Sequence, residues 1–469
     1  MSDIFRRKPI DLAVDEKAQG RLRPTLSAWQ LILLGVGAIV GTGIYTLVGV
    51  GAGRAGPAVM LSFAVAGGIC VFAALAYAEL ATMVPASGSA YTYSYVSMGE
   101  LVAWLVGWAL ILEYSVVCSA VAVGWSGYAT GFLTGLGVEL PKMLTAGPAG
   151  GGLVNLPAIV IIAAVTGMLL VGVRESANVN AALVVIKIAA LAVFVALALP
   201  AFDLANFEPF SPYGFAATVD ATGADRGVMS AAAIIFFAFY GFDAVSTAAE
   251  ETKDPGRNLS IGIIGSMLVC TLIYMTVAAA AVGAEPFQNF ATSGEPLAHI
   301  LRSLGHGEAA AAIAAAAVIA LPTVILAFMY GQSRIFFVMA RDGLFPRRFG
   351  AVDPKSGSPV AMTILTGVVC SVIAGVLPLA TIAELANAGT LCAFIATAIA
   401  LIILRVREPN RLRPFKAPFG PAVALLAIAG CLYLFASLPA ATQTRFFIWM
   451  GLGLVAYFVF ARRPAAKSA

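Results

Sequence analysis

Lys187 stands in an apolar run, residues 181–200, that holds no other side chain able to carry a charge. An ammonium in hydrocarbon costs roughly 3 kcal/mol on insertion scales, so a chain keeps one there for a partner or a task. Glu113, inside the apolar run 100–130, poses the same question for a carboxylate. Such groups can hold a proton, attract an opposite charge or bond nearby backbone and hydroxyl groups. A third feature is backbone chemistry: residues 35–45 read Gly-Val-Gly-Ala-Ile-Val-Gly-Thr-Gly-Ile-Tyr. Glycines at that density, about 20 Å into a helix by the 1.5 Å rise, favour an unwound segment whose free amides and carbonyls line a cavity. Gly37 and Gly41 also have the small-xxx-small spacing that lets two helices approach, a packing role that leaves Thr42 and Gly43 unexplained. A dinucleotide loop is excluded, since a membrane span offers neither its preceding strand nor its acidic residue about 20 positions on.

The elements that must position these groups are membrane helices. Hydrophobic residues make up 60% of the 469 and charged residues 11%, and apolar stretches of about 20 residues recur from Trp29 to Phe460. The expected fold is an all-α polytopic membrane protein with spans near 28–50, 57–82, 100–130, 155–173, 181–200, 229–250, 260–283, 309–338, 359–378, 382–404, 419–440 and 446–461. Twelve spans put both termini on one side. Of 28 lysines and arginines, 22 fall with the termini and even-numbered loops and five opposite (Arg54, Lys142, Arg226, Arg302, Arg445), with Lys187 in a span, so cytoplasmic termini are expected. Residues 1–27 lack an apolar signal core and read, like 462–469, as a cytoplasmic tail.

The net charge of +4 follows from this topology and gives no reason to expect nucleic acid. All six cysteines lie in apolar spans without close pairing, which predicts packing residues and neither a disulfide framework nor a metal site. No cofactor is expected. A channel would want a continuous polar lining, and an enzyme a nucleophile with its base or a metal cluster; the spans supply neither.

A second interruption, Phe236-Phe-Ala-Phe-Tyr240-Gly241-Phe242-Asp243, falls at mid-depth of the sixth span. Breaks five spans apart point to an inverted repeat of five plus five helices with a site at the midplane. The repeats would be 28–200 and 229–404, with 419–461 as two peripheral helices.

Gly37 to Tyr45, Phe236 to Asp243 followed by Ala-Val-Ser-Thr-Ala-Ala-Glu250-Glu251, Lys253-Asp-Pro255-Gly-Arg-Asn258, Gln332-Ser-Arg334 and Ala340-Arg-Asp-Gly343 resemble the amino acid-polyamine-organocation superfamily. Trp108-Ala-Leu-Ile-Leu-Glu113-Tyr114 and Lys187 bring the chain closest to bacterial members of the cationic amino acid transporter family. The resemblance covers essentially the whole chain. It implies a leucine-transporter-like fold, alternating access across the cell membrane and an L-amino acid substrate.

On that reading the amides of Thr42 and Gly43, beside Gly41, face the substrate carboxylate at a positive helix end. The family pattern maps ammonium-binding carbonyls to Ile39 and, beside Ala238 in the sixth span, to Phe237 and Tyr240. Phe237 matches an aromatic gate, with packing as the alternative. Tyr240 replaces a small aliphatic residue and either bonds the substrate or narrows the pocket, while Leu321 would restrict it to small neutral side chains. Glu113 attracts a cationic side chain, joins a proton relay, or pairs with nearby tyrosine and tryptophan. Glu79 and Glu251 are expected to be solvated or locally paired, and Asp243 to cap freed amides. Lys187 lies where sodium-driven relatives hold an ion; the Gly37 and Val40 carbonyls and Thr323 are its expected partners, whether it cycles a proton or stays charged as a strut. The expectation is proton-coupled import of small neutral, and also cationic, amino acids, with an obligate exchanger or polyamine permease as alternatives. Its partners would be substrate, protons and membrane lipid; an accessory subunit is not legible.

Overall fold

The computed structural model describes residues 4, 6–10, 26–85, 88–171, 177–249, 252–345 and 360–461. The expected C-terminal tail, most of the N-terminal tail, and Glu250 and Glu251 lie outside the described residues.

Helix α1, Ala28–Ile39, starts on a capping box in which Ser27 and Gln30 satisfy each other's amides. It ends in mid-course, and the chain resumes as α2, Thr42–Tyr45, and α3, Leu47–Ala55. Next come α4 (Val59–Met83), α5 (Ser89–Ser97), α6 (Glu100–Gly135), α7 (Leu156–Val171) and α8 (Ala177–Ala198). A small antiparallel hairpin of β1, Thr218–Val219, and β2, Asp225–Arg226, precedes α9, Val228–Ile235. A 3-10 turn, Phe236–Phe239, separates α9 from α10, Phe242–Thr247. The longer helices that follow are α11 (Pro255–Ala284), α12 (Pro296–Ser303), α13 (Gly307–Arg341), α14 (Val360–Val376), α15 (Leu379–Arg407), α16 (Gly420–Ala436) and α17 (Ala440–Ala456).

Among the described residues, six helical segments are long and apolar enough to cross a membrane by themselves: 47–83, 100–135, 179–201, 255–284, 307–332 and 379–407. The pair α16 and α17 passes the same test together, bent by 113°, and α1, α7, α9 with its 3-10 turn, and α14 are shorter apolar helices. Two of those short helices, α1 and α9, are short because each stops at an internal break. The chain is a helical, multi-pass membrane protein.

Three contacts fix the frame around the breaks. The rings of Trp108 and Trp449 stack at 4.7 Å, and each indole N–H donates to the other residue's carbonyl, at 2.9 and 3.1 Å. Trp104 donates to the Gly453 carbonyl at 2.7 Å, and a Cβ on Gly453 would stand 2.4 Å from the Trp108 ring, so α17 lies tight on α6. At the Arg405 end of α15, Glu79 is fully buried and accepts from Arg405 (2.9 and 2.5 Å), Arg413 (3.1 Å) and the Ala417 amide (2.8 Å). This corrects the expectation of a solvated or locally paired Glu79: removing a carboxylate from water requires opposite charge, and here it comes from a distant stretch of chain. At the other end of α15, buried Glu384 binds Arg54 through one oxygen and accepts from Thr442 at 3.0 Å through the other.

Candidate binding site

At the end of α1 the carbonyls after Val36 lose their helical partners. The Val36 carbonyl accepts from the Val40 amide at 2.8 Å, Gly37 from Lys187 Nζ at 2.9 Å, and Ile39 from the Tyr274 hydroxyl at 2.7 Å. Beyond the break, Ile44 and Tyr45 return to the Gly41 carbonyl at 3.2 and 3.3 Å. As the first residues of α2, Thr42 and Gly43 have amides with no acceptor within the helix. Thr42 Oγ1 is buried and has no hydrogen-bond partner among the described residues.

The second break is sharper. Tyr240 turns extended (φ −65°, ψ 150°), and Gly241 takes φ +115°, a conformation that a side chain would disfavour. Its amide donates to Asp243 Oδ1 at 3.2 Å. The two breaks touch: a Cβ on Gly43 would lie 2.3 Å from the Ala238 Cα, and one on Gly241 would lie 2.7 Å from the Ala38 carbonyl carbon. Other glycines of the run serve packing. A Cβ on Gly35 would strike Ser266 of α11 at 2.4 Å, and one on Gly37 would strike Val184 of α8 at 2.6 Å. Gly41 is not pressed in this way, since its Cβ would meet Val324 at an ordinary 3.6 Å.

A cavity lies where the breaks meet. Its walls are Ala38, Ile39, Gly41, Thr42 and Gly43 from the first broken helix, Phe237 and Tyr240 from the second, Val117 and Val121 from α6, and Val324 and Phe328 from α13. Its open volume is about 10 Å³, enough for roughly one water, so a larger ligand must push its walls apart.

Six of the sequence-derived site residues line this cavity: Ile39, Gly41, Thr42, Gly43, Phe237 and Tyr240. Ala238 instead backs Gly43. Leu321 is buried about one turn before Val324, and its Cδ2 is 4.0 Å from the Cβ position of Gly41. Glu113 lies about one turn before Val117, fully buried, with Oε2 lacking a hydrogen-bond partner among the described residues. The Tyr240 hydroxyl donates to Asn387 Oδ1. Val117, Val121, Val324 and Phe328 escaped the sequence reading because an apolar residue facing a cavity looks like one facing lipid.

A sequence profile described as amino acid permease matches residues 26–459. The chain belongs to the amino acid permease family. It is 46% identical over 465 residues, 98% of each chain, to a branched-chain amino acid permease of Bacillus subtilis. It is 41% identical over 466 residues, 99% of each chain, to a methylthioribose transporter of the same organism. It is also 34% identical over 423 residues, 87% of this chain and 68% of the relative, to the vacuolar cationic amino acid transporter 4 of Arabidopsis thaliana. These relatives are named permeases and transporters, not enzymes.

In this family member Lys187 is buried among α1, α8 and α13. Besides Gly37, its Nζ reaches Thr323 Oγ1 at 3.4 Å. The Thr323 hydroxyl donates to the Ala320 carbonyl at 2.7 Å, so it presents a lone pair to the ammonium. Pro322 beside it lacks an amide for the Val318 carbonyl, and Trp125 Nε1 donates there instead at 2.8 Å. Val40 is buried at the end of α1. The Tyr45 hydroxyl donates to the Lys187 carbonyl at 2.9 Å, and Tyr128 donates to the Tyr45 carbonyl at 2.6 Å, linking α8, α2 and α6.

Outside the spans two carboxyls are displaced in opposite directions. Bonds from Thr222, Arg226 and the Ala224 amide hold Asp220 of the hairpin below its ordinary range. Burial pushes Glu295 up despite its bond to Arg302. A Cβ on Gly131 would collide with the Glu295 carboxyl, so this loop is pressed onto α6.

Proposed function

We propose that the chain is a secondary active transporter that imports L-amino acids across the cell membrane by alternating access, with proton-coupled symport as its energy source. The observation that carries this reading is the meeting of two mid-helix breaks around a small apolar cavity. Free amides at Thr42 and Gly43 and the orphan Thr42 hydroxyl offer donors to a carboxylate, while the carbonyls at Ile39, Phe237 and Tyr240 offer acceptors to an ammonium. The Ile39 carbonyl keeps a second lone pair beside its bond from Tyr274. Valines and phenylalanines around it suit small or branched neutral side chains better than charged ones, in keeping with the branched-chain permeases among the relatives. Leu321 and Glu113, a layer further out, bound that pocket.

The membrane arrangement we infer has twelve spans with cytoplasmic termini and a five-plus-five inverted repeat, α1–α3 and α9–α10 each counting as one broken span. Lys187 then sits at the end of the inner half of the first span. Protonated, it ties Gly37 to Thr323 and holds α1, α8 and α13 together; neutral, it offers fewer donors and releases them. Its occupied bonds also favour the obligate exchanger, in which the lysine stays charged throughout.

Proteoliposomes free of amino acids separate the two. The symporter accumulates isoleucine with an inward proton gradient and ignores sodium, and Lys187→Ala abolishes accumulation while retaining part of the binding. Uptake only into vesicles preloaded with amino acid supports the exchanger. Undiminished proton-driven accumulation by Lys187→Ala removes the lysine from the mechanism.

A further inference from the structure

Asn387 lies on α15, fully buried, and belongs to none of the motifs that mark the two breaks. All of its side-chain chemistry is nevertheless spent on the second one. Nδ2 donates to the carbonyls of Ala233 at 2.5 Å and Ile234 at 3.1 Å, both in the last turn of α9, where helical partners run out. Those two carbonyls fix the amide's orientation, because only the NH2 end can serve them. Oδ1 must therefore face the other way, where it accepts from the Tyr240 hydroxyl. On another face of the same turn, a Cβ on Gly389 would stand 3.1 Å from the Ala109 carbonyl and 3.3 Å from the Glu113 Cβ, so α15 also lies close to α6.

Tyr240 is thereby held at both ends. Its ring packs against Phe236 and Phe237, with centroids 5.6 and 5.2 Å away, and its hydroxyl proton is committed to Asn387. Because Tyr240 lines the cavity, the ring is a wall whose place depends on an amide outside the cavity.

We propose that Asn387 is the positioning residue that sets the side-chain size this site admits, by pinning the Tyr240 ring across the cavity. The inference rests on the amino acid reading above and adds to it a residue that touches no substrate. Releasing the ring from Asn387 lets it swing aside, so larger side chains gain relative to small ones. The loss of one hydrogen bond of this kind corresponds to a shift of roughly 3- to 10-fold in that ratio.

The test measures alanine and isoleucine affinities of the purified full-length protein by isothermal titration, for wild type, Tyr240→Phe, Asn387→Ala and the double variant. Tyr240→Phe keeps the ring and removes only the hydroxyl, so it reports even if Asn387→Ala folds poorly. Each single variant should shift the isoleucine-to-alanine ratio the same way, and the double variant should shift it no further. A merely structural Asn387 would weaken both ligands equally and leave the ratio unmoved. Additive shifts in the double variant, or an unchanged ratio in Tyr240→Phe, overturn the proposal while leaving amino acid binding intact. A wild type that binds no amino acid overturns the transport reading and the proposal with it.

Discussion

Substituting Gly43 by alanine tests whether the two breaks form one site. The new Cβ would lie 2.3 Å from the Ala238 Cα and 2.5 Å from its Cβ. Carbon atoms rest about 3.5–4.0 Å apart, so the broken helices must separate by roughly 1.2–1.7 Å. Overpacking of this kind costs about 1–3 kcal/mol of stability. The larger effect falls on binding: the Thr42 and Gly43 amides move away from Phe237 and Tyr240 by more than a hydrogen bond tolerates. A misplacement of about 1 Å at such a site is worth up to about 100-fold, so isoleucine affinity should fall about 10- to 100-fold. Titration calorimetry on the monodisperse protein reads this directly. Gly68→Ala, with nothing within 4 Å of its Cβ, is the control and should bind like wild type. Adding Ala238→Gly should not restore binding, because the Cα remains in the way. Affinity of Gly43→Ala within about twofold of wild type would refute a site built from both breaks.

Two further outcomes concern stability. Glu384→Gln leaves the Arg54 guanidinium with only the more distant Asp225 carboxylate, at 3.7 Å, as its opposite charge and should cost up to about 3 kcal/mol, whereas replacing both residues with methionine should cost less than the two single changes together; additivity in thermal denaturation would mean the pair is not coupled. Burial raises the Glu295 carboxyl above its ordinary 4.5, so the folded state binds its proton more tightly than the unfolded state. The stabilisation is then complete below that ordinary value and fades as pH rises through the raised one. Glu295→Gln should flatten this part of the melting profile, and an unchanged profile would show that the carboxyl is not perturbed.

How much could be read from residues alone depended on the range of the interaction. Dense glycines at 35–43 pointed to a break, and α1 stops at Ile39; a local conformational preference is written in the local sequence. The run itself did not reveal that its glycines have separate duties, Gly35 and Gly37 admitting neighbouring helices while Gly43 admits the other break. Lys187 was conspicuous because hydrocarbon tolerates few charges, and apolar valines at the cavity were inconspicuous for the same reason. Glu79 was misjudged because Arg405 and Arg413 stand 326 and 334 residues away. Asn387 carried no signal, since an asparagine in a span announces polarity but not its partner.

The clasp between Trp108 and Trp449 makes α17 a built-in reference frame. Two stacked rings, two reciprocal bonds and a glycine that admits no side chain leave little room for α17 to slide on α6. A spectroscopic label on the exposed side of α17, at Phe447 or Ile448 for instance, would therefore travel with α6. Distances from such a label to α3 would record the broken helix moving against its housing, free of any drift in the ruler itself.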